Sequence, residues 1–270
     1  MTVQRILAGT RASDKLTRYL QERGVSRVLV VADSVSFSAS GADEVTRRAL
    51  SDIAVLEEHQ WTPGLLSPEH VNACTERMLR FRPDAVLAVG GGSTIDLAKT
   101  AAVCYSAGWS GYDALDSEPY DGVLTPLLVA VPTTAGTGSE ATHFAVVYRS
   151  GQKFSVVAPA MRPQVAVLNP RFLESMPRSL AIAAGLDAFA QAIESFWSIH
   201  STDMSRELAC RAMRQIVRNF EASVESRNLL RLASMQAAAY RAGCAINVTK
   251  TTASHALSYA LTSHFGVAHG

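Results

Sequence analysis

The residues best suited to chemistry crowd one end of the sequence. Thr249 to Gly270 reads TKTTASHALSYALTSHFGVAHG and holds three of the seven histidines, His255, His264 and His269. Hydroxyl residues lead into Ala253 to Ser263, a run of strong helix formers, so a helix is predicted there. His255 and Tyr259 lie four apart and share one face of it. Gly266 breaks the pattern, and the loop beyond it can fold His269 back. Lys250 stands among Thr249, Thr251 and Thr252 just before the helix start, an arrangement that suits an anion. Two readings stay open: half a metal site beside an anion pocket, or a polar helix with a capping cluster and a solvated lysine.

A metal needs more than two histidines. In the run GLDAFAQAIE, Asp187 sits among apolar residues, with Gln191 four later on the same face and Glu194 one step further round. A carboxylate on a mostly apolar helix face is costly unless it is paired or ligates a metal. Pairing with Arg178 is the plainer alternative.

The elements that must position these groups fall into two kinds. Val28–Ala32, Ala85–Val89, Leu127–Val131 and Val165–Leu168 are β-branched or apolar runs of the kind that form buried parallel strands, and Val55–Glu57 reads as a shorter one. Helical patterns at Ala42–Ile53 and Pro68–Phe81 alternate with them, which argues for a parallel α/β sheet. Ala145–Tyr148 and Phe154–Val157 flank Ser150-Gly151, a hairpin signal. From Ser179 to Trp197, and again from Met204 to Tyr240, the pattern is helical and alanine-rich. The expected organisation is an α/β domain over 1–177 and an all-α domain over 178–270.

Two polar loops follow predicted strands. GGGSTIDLAK, residues 90–99, places Gly91, Gly92 and Ser93 between a strand and a helix, where backbone N–H groups can approach a phosphate closely. PTTAGTGSE, residues 132–140, adds Thr133 and Thr137 at the same sheet edge, where open α/β sheets bind ligands. Lys153 on the hairpin is a candidate phosphate or ribose partner, or simply solvated. Asp33, at a strand end, either accepts from an adenine ribose and repels a 2′-phosphate, or caps a helix.

Composition limits the partners. Apolar residues are 48% and charged ones 18%, with a formal net charge of +1, which suits a soluble globular protein and argues against nucleic acid or a membrane as partner. Four scattered cysteines, no signal-peptide pattern and no spanning apolar run point to a cytoplasmic protein.

GGGSTIDLAK, PTTAGTGSE, GLDAFAQAIES and HALSYALTSHFGVAHG together resemble the iron-containing (group III) alcohol dehydrogenases, over nearly the whole chain from Gly9 to Gly270. The resemblance implies an N-terminal dinucleotide-binding α/β domain followed by an all-α metal-binding domain, partial here because family members continue through further helices. It implies NAD(P)H in the cleft between them, one divalent metal, Fe2+ or Zn2+, and a homodimer. On that basis Gly91, Gly92 and Ser93 match the pyrophosphate loop, Thr133, Thr137 and Lys153 other cofactor contacts, and Asp33 the position associated with NAD preference. Asp187, His255 and His269 match metal ligands. Gln191 and Tyr259 stand where the family usually has histidines, so Gln191 would ligate through an amide oxygen, a weaker donor.

INVTKTTASHALSY and Gln191 resemble a narrower branch, the phosphonoacetaldehyde reductases. That likeness implies a small phosphonate aldehyde whose charged end meets Lys250, with the carbonyl at the metal and Tyr259 in the proton relay. The alternatives are a generic short-chain alcohol or diol dehydrogenase, a lyase like dehydroquinate synthase, and a catalytically impaired nucleotide-binding homologue.

Overall fold

The computed structural model describes residues 3–51 and 55–270. The first part runs β1 (Arg5–Ala8), α1 (Ala12–Glu22), β2 (Arg27–Asp33), α2 (Ser36–Ala39), α3 (Ala42–Leu50), β3 (Val55–Trp61), α4 (Pro68–Phe81), β4 (Ala85–Gly90), α5 (Gly92–Ala107), α6 (Asp113–Asp116) and β5 (Leu127–Pro132). It continues with a hairpin of β6 (Phe144–Arg149) and β7 (Gln152–Val157), then β8 (Val165–Leu168). The remainder is helical: α7 (Arg178–Trp197), α8 (Asp203–Glu225), α9 (Leu229–Thr249) and α10 (Ala253–Phe265).

Six parallel strands lie in the order β1-β8-β5-β4-β2-β3. The central runs are apolar at every position because both faces are covered. Leu29 and Val31 of β2 face one core with Val86, Met78 and Ile95, while Val28, Val30 and Ala32 face the other with Leu16, Leu20 and Phe37. From β2 the chain adds β3 on one side and β4 on the other. The switch point between β2 and β4 therefore opens a crevice at the strands' carboxyl ends. Both Asp33 and the glycine-rich loop sit there.

The helices α7, α8 and α9 pack on one another around Ala188, Ile216, Leu232, Met235 and Ala238. Alanine and glycine on α7 permit the close approach, and Gly185 lies against the Phe220 ring, which would meet an added Cβ at 2.4 Å. Among the described residues no helix is long and apolar enough to cross a membrane.

Several elements depart from the sequence-based expectation. The short strand expected at Val55–Glu57 runs on to Trp61, because Glu57, Glu58 and Gln60 are tolerated on a partly exposed edge strand. The expected helix at Ala42–Ile53 spans Ala42–Leu50, and Ile53 lies outside the described residues. The continuous pattern Met204–Tyr240 is two helices. They are broken at Arg227, whose φ is +52°, and Asn228 caps α9 by accepting from the Leu230 N–H. The first strand, with one buried residue in four, carries too weak a pattern to be read at all.

Candidate functional site

The two polar loops meet. Gly91 is the N-cap of α5, and its neighbours Gly92 and Ser93 leave the first N–H groups of a 16-residue helix open to the crevice. A Cβ on Gly92 would lie 2.6 Å from the Thr137 side chain, so only glycine allows the loops to approach this closely. The second loop is pinned on its far side as well. Gly138, with φ +63°, packs backbone against Gly243 of α9, where an added Cβ would come within 2.5 Å of the Gly243 Cα.

Beneath the loops lies a buried polar knot. Lys99 is fully buried, and the three N–H donors of its Nζ are shared among Ser139 O (3.1 Å), Ser139 Oγ (3.2 Å), Thr142 Oγ1 (3.0 Å) and the Phe144 carbonyl, with Asp96 at 3.6 Å. Asp96 in turn accepts from Ser139 Oγ and from the Val146 N–H (2.9 Å). One helical turn of α5 thus fixes both the second loop and the hairpin. Burial lowers the Lys99 pKa and Asp96 opposes it. Lysine in a glycine-loop motif carries no sign of such burial. The only available signal is its place on a helix that, Asp96 apart, is otherwise apolar or small from Thr94 to Cys104.

The Asp33 carboxylate faces the start of α2. It accepts from the Val35 N–H (3.1 Å), the Ser36 N–H (2.5 Å) and the Ser36 hydroxyl. The carboxylate holds the start of α2 while staying at the crevice, and Thr133, 3.3 Å from Ser36 Oγ, completes the corner.

Across the crevice, Asp187, His255 and His269 come together. One potential ligand atom from each lies within 4.8 Å of the others. Helix α7 supplies Asp187, and the first turn of α10 supplies His255. The turn at Gly266, with φ +66°, returns the chain so that the His269 ring meets His255 edge-on at 5.3 Å. His255 Nε2 is 3.2 Å from Asp187 Oδ1, and Nδ1 is 2.5 Å from Glu194 Oε1. Desolvation disfavours its charged form, but hydrogen bonds and charge from Asp187 and Glu194 outweigh that and raise its pKa. His264 is exposed and stands apart from the group.

Gln191 bridges the two halves. Its Nε2 donates to the Thr137 carbonyl (3.2 Å), which turns Oε1 away from the loop, and Oε1 is buried with no hydrogen-bond partner among the described residues. An orphaned buried acceptor beside a carboxylate and two imidazoles is what a cation would satisfy. These residues therefore fit a divalent metal. Tyr259 stacks on His269 (5.7 Å between centroids, 29° between planes), and Lys153 reaches from the hairpin to 3.3 Å above the Tyr259 ring. A cavity of about 330 Å³ runs from Gly92 and Ser93 past Lys153 and Tyr259 to Asp187, His255 and His269.

The TKTT cluster divides. Thr251 lines the cavity, whereas Lys250 is exposed and lies outside the lining. Thr249 is buried and donates to Ser195 Oγ (3.0 Å). Lys250 has φ +59° and ψ −176°, a region otherwise left to glycine. Its charge helps to depress the pKa of His143, after the larger effect of burial. Glu194, passed over in sequence as an α7 carboxylate of no stated role, is the neighbour that the histidine required.

Residues 3–170 match the family model described as iron-containing alcohol dehydrogenase, and residues 181–270 match the model of the Fe-containing alcohol dehydrogenase family's C-terminal part. A phosphonoacetaldehyde reductase from Streptomyces viridochromogenes is 37% identical over 222 residues, covering 77% of this chain. The chain spans 55% of that relative's length. An iron-containing alcohol dehydrogenase from Thermotoga maritima superposes with a TM-score of 0.90 at 31% identity, over 100% of this chain and 74% of that one. A sulfoacetaldehyde reductase from Bifidobacterium kashiwanohense, in complex with NAD+, gives 0.91 at 27% identity, over 99% of this chain and 71% of that one.

Proposed function

The chain belongs to the iron-containing alcohol dehydrogenase family, and from that membership and the cavity's geometry we propose metal-dependent, NAD(P)H-linked reduction of a small aldehyde to its alcohol. The observation that carries the reading is a single cavity with a glycine-rich helix start at one end and Asp187, His255 and His269 at the other. When bound, the metal supplies Lewis-acid polarisation of a carbonyl and the reduced dinucleotide supplies the hydride.

The chain's own residues do the rest. Asp187, His255 and His269 hold the metal, with Gln191 Oε1 as a fourth donor. Fe2+ fits this mixed N,O set, and Zn2+ is the competitor. Gly91, Gly92 and Ser93 bind the pyrophosphate through N–H and hydroxyl donors at the α5 start. Thr133 and Thr137 flank the cofactor, and Lys153 holds its ribose from above the Tyr259 ring. Asp33, buried at the crevice, disfavours a 2′-phosphate and so favours NADH. Tyr259, which lines the cavity, passes a proton from solvent to the developing alcohol.

For the substrate we propose phosphonoacetaldehyde, reduced to 2-hydroxyethylphosphonate. Two relatives are named for reducing a two-carbon aldehyde with an anionic end, and Thr251 with the nearby Lys250 supplies hydroxyl and positive charge on the α9–α10 turn. The exposure of Lys250 outside the lining favours a second reading, an uncharged short-chain alcohol or diol. Metal analysis followed by NADH oxidation with phosphonoacetaldehyde and with an uncharged aldehyde tests both. His255→Ala is expected to abolish metal content and turnover together, and turnover persisting in the metal-depleted variant sinks the metal role. Lys250→Ala is expected to slow only the phosphonate, and an equal effect on both aldehydes removes the anion pocket.

A further inference from the structure

We propose that Glu194 is the positioning residue of the metal site, capping α10 from outside that helix and fixing which His255 nitrogen faces Asp187. The inference rests on the reading of Asp187, His255 and His269 as ligands. It assigns a task to a residue that lies outside that set.

Glu194 lies on α7, seven residues beyond Asp187 and so on the same face two turns along. Its side chain is 2% exposed, and among the described residues no lysine or arginine forms an ion pair with it. A carboxylate so buried must be compensated by hydrogen bonds. It accepts three. Thr252 gives Oε2 its backbone N–H (2.5 Å) and its hydroxyl (2.7 Å), and His255 gives Oε1 its Nδ1–H (2.5 Å).

The positions of those donors are informative. Thr252 is the N-cap of α10; its hydroxyl donates to Glu194 and, among the described residues, accepts nothing from the helix. In a capping box, the third helical residue is a glutamate or glutamine that reaches back to the N-cap N–H. Here the third helical residue is His255. The glutamate comes from α7, and with the same carboxylate it takes the N-cap N–H and the Nδ1–H of the histidine that displaced it.

Two consequences follow. With Nδ1 as donor, the neutral His255 ring keeps its lone pair on Nε2, the nitrogen that faces Asp187. The start of α10 and the orientation of the ligand are also set by one group, so the turn through the strained Lys250 is anchored at the point where the ligand leaves it. Glutamine at 194 keeps the volume, but its NH2 must oppose either the Thr252 N–H or the His255 Nδ1–H, donor against donor.

The test is zinc affinity by competition against a chromophoric chelator, on wild type and Glu194→Gln, with NADH binding as the control for the intact crevice. The expected result is a 10- to 100-fold weaker zinc Kd with NADH affinity unchanged. Affinity within threefold of wild type refutes the positioning role while leaving the metal reading intact. A wild-type chain that takes up no zinc or iron refutes both. Should the variant not fold, nitrogen-15 NMR of zinc-loaded wild type decides the matter. It should show His255 coordinated through Nε2 with a proton on Nδ1, and coordination through Nδ1 overturns the proposal.

Discussion

Replacing Glu140 by glutamine should change how stability depends on pH. Glu140 sits in the 3-10 turn Ser139–Ala141 of the second loop and is 3% exposed. Burial pushes its carboxyl from the ordinary 4.5 up to about 7, against the opposing pull of its own backbone N–H and the Lys99 charge. Between those two values the folded chain holds a proton that the unfolded chain has released. The stability tied to Glu140 is therefore fully present below 4.5 and lost as pH rises through about 7. At about 1.4 kcal/mol per pH unit, the loss amounts to about 3 kcal/mol at pH 8. Glu140→Gln fills the same space without a charge to bury, so it escapes that loss. Thermal unfolding followed by circular dichroism from pH 5 to 8 should show the two proteins converging at the acid end. At pH 8 the variant should melt higher by on the order of 6–12 °C. Parallel curves across that range refute the reasoning, since they would mean that the folded carboxyl titrates as it does in the unfolded chain.

Further outcomes can be checked in the same preparations. Gly92→Ala drives a methyl into the Thr137 side chain and should raise the KM for NADH about tenfold, with metal content unchanged by elemental analysis. Lys250→Gly relieves a backbone conformation that costs about 1–3 kcal/mol and should raise the melting temperature by several degrees, whereas Lys250→Ala keeps the strain and should not. Gln191→His exchanges an amide oxygen for an imidazole and should slow loss of metal to a chelator, measured as a dissociation rate; an unchanged rate would mean that position 191 does not ligate.

How much of this was legible beforehand depended on where each signal resides. The sheet could be read because runs such as VLVVA and AVLAVG are buried on both faces and need no polar residue. The edge strands were legible only in part: β3 could be read as far as Glu57 and β1 not at all, because Glu57 and Glu58 on β3 and Arg5 on β1 interrupt the apolar pattern that marks a strand. Both polar loops stood out, since glycines and hydroxyls at strand ends are unusual for the core. Asp187, His255 and His269 were assigned from the resemblance rather than from spacing. The fold brings Asp187 and His255 within hydrogen-bonding distance across 68 residues, which no local pattern encodes. Glu194 was missed for the same reason: its partner lies 61 residues away, and on α7 alone it is one acidic residue among alanines. Arg178, offered as the plainer partner for Asp187, instead pairs with Glu225 on the surface.

Gln191 and Tyr259 both face the cavity at positions where the resemblance leads one to expect histidine. In the genetic code each is a single base from histidine, glutamine by the third letter of its codon and tyrosine by the first. Two point mutations thus separate this chain from one with histidine at both positions, beside the same Asp187, His255 and His269. Gln191 shows how such a step is absorbed, since the Nε2 bond to Thr137 is one that an imidazole N–H can also make. On the roles proposed for Gln191 and Tyr259, a lineage carrying this scaffold could alter metal preference and proton-relay chemistry separately, one base at a time.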